Sequence, residues 1–280
     1  MKHKNKKANI ELKIGTIIVS CYLLWGVAWF IFTHFIQGGP TGAYLPSRDI
    51  TKELLLPFQE NFIFGTDLYG RSYFQVISEG LVYSIMTSVI VSVTCATLGL
   101  GIGHLAQRGG RYIKVFFDLS INLVFIFPSI LIAILIMSIL GQSFFGLIVA
   151  LVITGWPAYA KISKGEIQRI YSLSFVESSI SLGISKMRLF FTIIIPNILP
   201  LLMVHIVLGL SGVIMSEAAL GFLGLGGGPF SWGAILADGR TVLLEAPHIV
   251  LILSVIMAGL ILGLNLLGDG LRDYLDPKTN

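Results

Sequence analysis

Few side chains in this sequence are spaced for catalytic or ligand-binding chemistry. There is no GxSxG nucleophile motif, no HExxH metal-binding motif and no CxxC pair. A glycine-rich stretch runs from Gly224 to Gly228, but it lacks the lysine and hydroxyl residue that complete a phosphate-binding loop. We therefore assign no catalytic residue, no metal ligand and no nucleotide site to this chain.

The isolated polar residues inside apolar stretches have simpler explanations. Asp118 lies near the start of one apolar stretch, where a helix N-terminus favours a negative charge. His205 lies in the middle of another, where it either lines a substrate path or bonds to a neighbouring helix, and we favour the second. Cys21 and Cys95 are expected to be small buried hydrophobic residues.

One polar pattern predicts a specific local structure. Ser174-Phe-Val-Glu177 has the form of a capping box, in which the serine and glutamate side chains each bond a main-chain N–H. A short helix is predicted from about 175 to 182, ended by Gly183 in a left-handed turn. Ser185 is predicted to cap a second short helix, which breaks at Pro196. Two short helices at an angle form either a compact docking element or a loop lying on a membrane surface.

The composition indicates what kind of helices flank these two short helices. The chain has 280 residues, a mean hydropathy of +0.85, 55% hydrophobic residues and only 12% charged residues. A soluble domain carries about 25% charged residues. A net charge of +4 scattered among apolar blocks does not form a nucleic-acid surface. A helix crosses a bilayer with roughly 20 apolar residues, which predicts an all-α membrane protein with spans near 14–36, 81–103, 115–140, 144–160, 198–216 and 249–267.

The basic residues predict the orientation. Of the 19 lysines and arginines, only Arg48, Lys52, Arg71 and Arg240 fall outside the segments 1–13, 104–114, 161–197 and 268–280. Because basic residues concentrate on the cytoplasmic side, both termini are predicted to be cytoplasmic. The segments 37–80 and 217–248 are then extracytoplasmic.

The docking segment resembles a known family motif. Glu177-Ser-Ser-x-x-x-Gly183, followed after nine residues by Ile193-x-Ile195-Pro196, is similar to the EAA loop of ABC importer permeases. That family usually has two alanines where this chain has Ser178 and Ser179, and a leucine at the position of Ile195. The changes keep small residues small and apolar residues apolar.

Three further segments resemble the C-type permeases of dipeptide, oligopeptide and nickel importers. The first runs from Gly65 to Arg71, the second from Glu217 to Gly233, and the third covers the C-terminal tail. The motif residues are Gly65, Thr66, Asp67, Gly70, Arg71, Glu217, Gly224, Trp232, Gly233, Asp269, Arg272, Asp273, Asp276 and Pro277. The family pattern is not kept just after Arg71, where this chain has Ser72, Gln75 and Val76.

The resemblance implies a type I (MetI-like) permease with six membrane-spanning helices and a cytoplasmic coupling helix. The organisation would be a first span (14–36), an outer loop (37–80), a permease core (81–267) containing the EAA loop (about 161–197), and a cytoplasmic tail (268–280). The coupling residues would be Ser174, Phe175, Val176, Glu177, Ser178, Ser179, Ile180, Leu182 and Gly183. Phe175, Val176, Ile180 and Leu182 would supply apolar contacts to an ATPase.

The resemblance also implies partners and a cargo. The partners would be a sister permease, two ATPase subunits that bind ATP and magnesium, and an extracytoplasmic substrate-binding protein, at a bacterial cell membrane. The favoured cargo is di- or oligopeptides, and the alternative is nickel or a metal chelate such as an opine-like metallophore. A secondary transporter is the alternative from another class, although such proteins usually show related halves and mid-membrane charges.

Overall fold

The computed structural model describes residues 2–36 and 47–275, with side chains described for residues 10–35 and 47–275, and confirms the all-α class. Ten α-helices lie in these ranges: α1 (Lys2–Ile31), α2 (Tyr73–Arg108), α3 (Arg111–Ile126), α4 (Ser129–Leu140), α5 (Phe144–Tyr171), α6 (Ser174–Ser181), α7 (Lys186–Leu189), α8 (Ile195–Phe222), α9 (Trp232–Thr241) and α10 (Pro247–Leu275). Two π-helical turns, Phe32–Ile36 and Phe190–Ile194, extend α1 and precede α8.

Five continuous helical segments in the described ranges are long and apolar enough to cross a membrane, and a sixth span exists only if α3 and α4 are counted together. The five are Ile10–Phe35, Tyr73–Arg108, Phe144–Tyr171, Lys186–Phe222 and Pro247–Leu275. Each contains or largely overlaps one of the predicted spans. Long apolar runs therefore predicted these helices, and most of the helices extend beyond the predicted ends.

The third predicted span, 115–140, is not a single helix. α3 and α4 are bent by 94° at Phe127 and Pro128. Proline has no N–H to donate and disfavours helical geometry in the residue before it, and Phe127 is accordingly extended, with φ −92° and ψ 142°. With 12 residues, α4 is only about 18 Å long.

The segment between spans that was predicted at 161–197 is shorter in the structure, because the helices on both sides extend into it. α5 continues to Tyr171 in spite of Pro157. The predicted break at Pro196 was wrong, since the chain passes from α7 through the π-helical turn into α8 as one continuous helical segment. In that turn the Ile195 N–H bonds to the carbonyl of Phe190, five residues back. The wider turn gives the ring of Pro196 room that an α-helical turn denies it.

Two buried clusters hold the bundle together. One lies among α2, α5 and α8 and includes Leu147, Ile167 and Ile198. The other lies among α2, α9 and α10 and includes Tyr73 and Trp232. α2 and α5 run side by side in the same direction, since Cys95 contacts Val152 and Gly103 lies against Ser163. The start of α2 is therefore at the same end of the bundle as the start of α5.

Close backbone contact places α1 against α10, which leads to a first prediction. A Cβ atom added at Gly15 would lie 2.3 Å from the main-chain nitrogen of Leu267. Because that neighbour is backbone, Gly15→Ala is expected to push the helices apart and to cost about 1–3 kcal/mol of stability. The measurement is the melting temperature of the purified protein.

Gly101→Ala is the control, because a Cβ atom there meets nothing within 4 Å. In an open helical position this change is expected to be neutral or to stabilise the protein by up to about 1 kcal/mol. Equal melting temperatures for the two variants would contradict the close packing of α1 on α10.

Candidate functional site

The predicted docking segment forms a short helix whose C-terminus is fixed by Gly183. α6 follows the end of α5, and Gly183 adopts a φ of +82° as predicted. The Gly183 N–H bonds to the Ile180 carbonyl at 2.9 Å, and the Ile184 N–H bonds to the Ser179 carbonyl at 3.3 Å. This pair of hydrogen bonds is the Schellman motif, so α6 ends in a defined direction.

The predicted capping box at the start of α6 is not formed. The helix begins at Ser174, and the N-cap residue is Leu173, which offers no side-chain cap. The Leu173 carbonyl instead accepts hydrogen bonds from the N–H groups of Val176 and Glu177, at 3.0 and 3.2 Å. Ser174 is thereby drawn into the first turn, and Glu177 stays in that turn, where the helix dipole favours its charge.

The predicted cap of the following helix is confirmed, because the Ser185 hydroxyl accepts a hydrogen bond from the Arg188 N–H at 3.4 Å.

α6 has one buried anchor and an exposed apolar surface. Val176 is fully buried in the first cluster, so the prediction that it contacts a partner was wrong. Phe175, Ile180 and Leu182 are exposed by 49%, 47% and 89%. Ser179 lies one turn after Phe175, and its hydroxyl donates to the Phe175 carbonyl at 2.8 Å. We call Phe175, Ile180 and Leu182 the docking surface.

The hydroxyls of Ser178 and Ser181 also form hydrogen bonds to main-chain carbonyls four residues earlier. Ser178 donates to the Ser174 carbonyl at 2.9 Å, and Ser181 donates to the Glu177 carbonyl at 3.0 Å. These serines are satisfied within the helix, which leaves apolar side chains and the exposed Glu177 as the groups presented outward.

At the start of α2, the far end of the bundle from α6, the first motif forms a buried ion pair. The Nε of Arg71 donates to a carboxylate oxygen of Asp67 at 2.6 Å, and the side chains of Arg71 and Asp67 are only 7% and 5% exposed. The other carboxylate oxygen accepts from the N–H groups of Tyr69 and Arg71, each at 2.9 Å. Together these hydrogen bonds fix the turn before α2.

The neighbouring motif residues tie the outer segment to this turn. The Thr66 hydroxyl donates to the Lys52 carbonyl at 2.5 Å and accepts from the Leu55 N–H at 2.9 Å. Gly65 and Gly70 have φ values of +76° and +66° and lie directly against main-chain carbonyls. Residues 47–72 therefore form an ordered cap on the end of the bundle.

The second motif folds onto the first. The Arg71 guanidinium lies 5.2 Å from the ring centre of Phe230. Trp232, fully buried, donates from its indole nitrogen to the Ile77 carbonyl at 3.2 Å. Gly233 lies against the carbonyl of Ala218, which brings α9 close to α8. Gly224, with φ +80°, ends α8 before this loop.

A buried carboxylate in this region has a partner that the sequence did not indicate. Glu217 is fully buried, and the Ser84 hydroxyl donates to its carboxylate at 2.8 Å. No local spacing rule connects two residues that lie 133 positions apart.

Residues 96–280 match the family described as the binding-protein-dependent transport system inner membrane component. The chain belongs to this family of permeases. It is 32% identical over 277 residues to the dipeptide transport system permease protein DppC of Alkalihalophilus pseudofirmus, an alignment that covers 98% of this chain and 88% of the relative. It is also 34% identical over 221 residues to the glutathione transport system permease protein GsiD of Escherichia coli, covering 77% of this chain and 72% of the relative.

The fold of the permease agrees with a solved transporter. An inward-facing structure of the MetNI methionine ABC transporter superposes with a TM-score of 0.53 at 20% identity, covering 66% of this chain and 91% of that chain. The predicted MetI-like fold and the resemblance to C-type permeases of the peptide family are confirmed. The protein is an ABC importer permease of the binding-protein-dependent type and a multi-pass inner membrane protein.

The tail motif of the permease lies at the C-terminal end of α10. Asp269 and Arg272 are exposed and Asp273 is half-buried in the last turns of α10. Gly270 packs there against the backbone of Leu12 in α1. Asp276 and Pro277 lie outside the described residues.

The prediction for Asp118 needs a correction. This residue lies in the second turn of α3, and its carboxylate forms an ion pair with Lys164 of α5. The partner, rather than the helix N-terminus, therefore accounts for its charge. Sequence spacing could not reveal the pair, because the bend at Pro128 determines where α3 lies.

Asp238 of α9 provides a prediction about pH. Burial raises the pKa of this carboxyl above its usual value, and the nearby Asp67 charge also raises it, while Arg71 acts in the opposite direction. A folded-state pKa above the unfolded value of about 3.9 means that the charged form weakens folding at higher pH. We expect Asp238→Asn to raise the melting temperature at pH 7, with the gain disappearing as the pH falls below about 4.

The comparison variant is Asp269→Asn, which alters an exposed carboxyl at the other end of the bundle. Melting temperatures of both variants are measured from about pH 3 to pH 8. A gain for Asp238→Asn that stays constant over this range would show that its charge is not responsible.

Proposed function

We propose that this permease forms half of the translocation path of an ATP-driven importer, and that α6 is the helix through which separate ATPase subunits act on it. The observation that carries the proposal is the docking surface. Leu182, Phe175 and Ile180 are exposed on a helix that projects beyond the spanning segments. Phe175 and Leu182 lie seven residues apart on one face of this helix, and exposed apolar side chains of this kind are typical of a protein contact.

The structure of α6 suits the transmission of movement. Val176 anchors the helix in the cluster that contains residues of α5 and α8, and the Schellman motif fixes its end. A push on the docking surface would therefore move the spanning helices, instead of only bending a loop. The permease would then be an element with inward- and outward-facing states, biased by ATP at one face and by a loaded binding protein at the other.

The remaining functions of the importer would belong to partner proteins. ATP and magnesium would be bound by two ATPase subunits, and this chain would hold no cofactor. A sister permease would complete the path, because six spans are too few to enclose it alone. An extracytoplasmic binding protein would deliver the cargo to the cap formed by residues 47–72 and α9.

The orientation follows from charge. The end of the bundle that carries α6 also carries Arg108, Arg111 and Lys186. Because basic residues concentrate on the cytoplasmic side, this end and both termini would be cytoplasmic.

The proposed cargo is di- or oligopeptides, supported by relatives named for dipeptide, di/tripeptide and glutathione transport. Uptake of a labelled dipeptide by cells that carry the complete importer tests this point. Uptake of nickel or a nickel chelate without peptide uptake would contradict it.

A matched pair of glycines tests the coupling. Gly183 and Gly141 have φ values of +82° and +81°, and a Cβ atom at either position meets nothing within 4 Å. Alanine imposes a backbone strain of about 1–2 kcal/mol at Gly183 and at least as much at Gly141, whose ψ of 167° lies in a region essentially reserved for glycine, but only Gly183→Ala alters the end of α6. We expect Gly183→Ala to lower the recovery of ATPase subunits with the solubilised permease, and Gly141→Ala to leave it unchanged.

The same co-purification can overturn the proposal. If intact wild-type permease recovers no ATPase subunit, the importer mechanism fails and a secondary transporter becomes the better explanation. If both alanine variants lose the ATPase equally, α6 has no special role.

A further inference from the structure

The bent pair of helices α3 and α4 does not behave as an ordinary membrane span. α3 touches α5 at two places: Asp118 pairs with Lys164, and the Lys161 ammonium lies 5.6 Å from the ring centre of Phe125. Seven residues along α3, about 10 Å, thus correspond to three residues along α5, about 4.5 Å. α3 is therefore steeply inclined to α5, in agreement with the 94° bend from α4.

The depth of α3 can be read from α5, which crosses the membrane. Lys161 is 17 residues after Phe144 at the start of α5, or about 25 Å along the helix. The hydrocarbon core of a bilayer is about 30 Å thick. α3 therefore lies close to the boundary of the core at the end of the bundle that carries α6.

The polar and the most exposed apolar side chains of α3 lie on different faces, as in a helix that lies in the membrane plane. Arg111, Lys114, Asp118 and Asn122 recur at helical spacing and form one polar stripe. Ile121 is the one residue of α3 that is buried. The most exposed apolar residues, by 58–90%, are Tyr112, Phe116, Leu119, Leu123 and Ile126.

This division favours one placement. A spanning α3 would carry its polar stripe through the hydrocarbon core, where charged side chains are costly. An α3 in the membrane plane places the stripe among headgroups and the apolar residues at the acyl boundary.

The charge of this surface indicates which lipid it fits. Arg108, Arg111 and Lys114 are exposed at the junction of α2 and α3. The acidic residue of the stripe, Asp118, is paired with Lys164, so the surface is basic. Basic residues beside an amphipathic helix attract anionic phospholipid headgroups.

We propose that α3 is an interfacial helix that binds anionic phospholipid headgroups, and that only α4 enters the hydrocarbon core. With the orientation given under Proposed function, the lipid belongs to the cytoplasmic leaflet. The third apolar segment of the sequence then crosses toward the start of α5 with the short helix α4 alone, instead of with a full-length span.

A depth profile tests the placement. In the full chain with Cys21→Ser and Cys95→Ala, single cysteines at 112, 116, 119, 123 and 126 carry a fluorophore, and lipids brominated at known depths quench it. An interfacial α3 gives nearly the same depth at all five positions. A spanning α3 would give depths that change by roughly 1.5 Å per residue, about 21 Å in total, and would overturn the proposal.

Cysteines at Leu251, Val255 and Leu262 are the internal control. These residues are exposed by 61%, 71% and 56% on α10, which is long enough to span. The profile along α10 must be steep in the same vesicles for a flat profile along α3 to be meaningful.

A second measurement tests the lipid. The fluorophore at 119 is expected to be quenched more by brominated phosphatidylglycerol than by brominated phosphatidylcholine. Arg111→Gln with Lys114→Gln should remove this preference, whereas Lys13→Gln with Lys186→Gln, which removes the same charge elsewhere, should keep it.

Two other results would overturn the proposal. Equal quenching by the two lipids in the unaltered helix would show that its basic residues do not select anionic headgroups. Absence of quenching by either lipid in the assembled importer, with cross-linking of position 119 to the sister permease, would show that protein and not lipid covers α3.

Discussion

Leu182→Asp is expected to abolish both ATPase co-purification and uptake while leaving the melting temperature of the isolated permease unchanged. Leu182 is 89% exposed, so its side chain contributes little to the fold. In the assembled importer the aspartate would be buried without a partner against an apolar ATPase surface. A hot-spot residue at the centre of an interface costs about 2 kcal/mol or more when it is altered, roughly a 30-fold loss of affinity. The measurements are ATPase recovery on a pull-down and peptide uptake.

Leu244→Asp is the matched control. Leu244 is 99% exposed between α9 and α10, at the other end of the bundle from α6. The same chemical change there is expected to leave ATPase recovery intact. Full recovery and uptake with Leu182→Asp, or equal losses with both variants, would contradict the proposed docking surface.

Asp67→Asn is expected to produce the second large effect, on stability. The substitution removes the charge that Arg71 pairs with, and both side chains are at most 7% exposed. An arginine left unpaired in a buried site costs about 3–5 kcal/mol. We expect a lower melting temperature and faster proteolysis of the segment 47–72, which the ion pair and the turn before α2 hold in place.

Glu60→Gln provides the comparison, because it breaks an exposed ion pair in the same segment. Glu60 lies 3.2 Å from Lys52, with side-chain exposures of 53% and 39%. An exposed pair contributes at most about 1 kcal/mol, so the melting temperature should change little. A loss of stability in Asp67→Asn no larger than in Glu60→Gln would show that the buried pair does not hold the cap.

The sequence by itself determined the features that depend on short-range physics. Long apolar runs predicted the positions of five spans, because a helix in hydrocarbon must satisfy its own hydrogen bonds within one continuous segment. Gly183 predicted the end of α6, because a left-handed turn has little steric cost only for glycine. Ser185 predicted the start of α7 for a similarly local reason, the unpaired N–H groups of a helix N-terminus.

Only the tertiary structure decided the features that depend on neighbours distant in the sequence. The pairs Ser84–Glu217 and Asp118–Lys164 form because helix packing brings them together. Val176 could be recognised as an anchor only once the core that buries it was known. The two prolines show the reason most clearly. Pro196 is accommodated by a π-helical turn, whereas Pro128 bends the chain by 94°, because the effect of a missing N–H depends on how the surrounding backbone can rearrange.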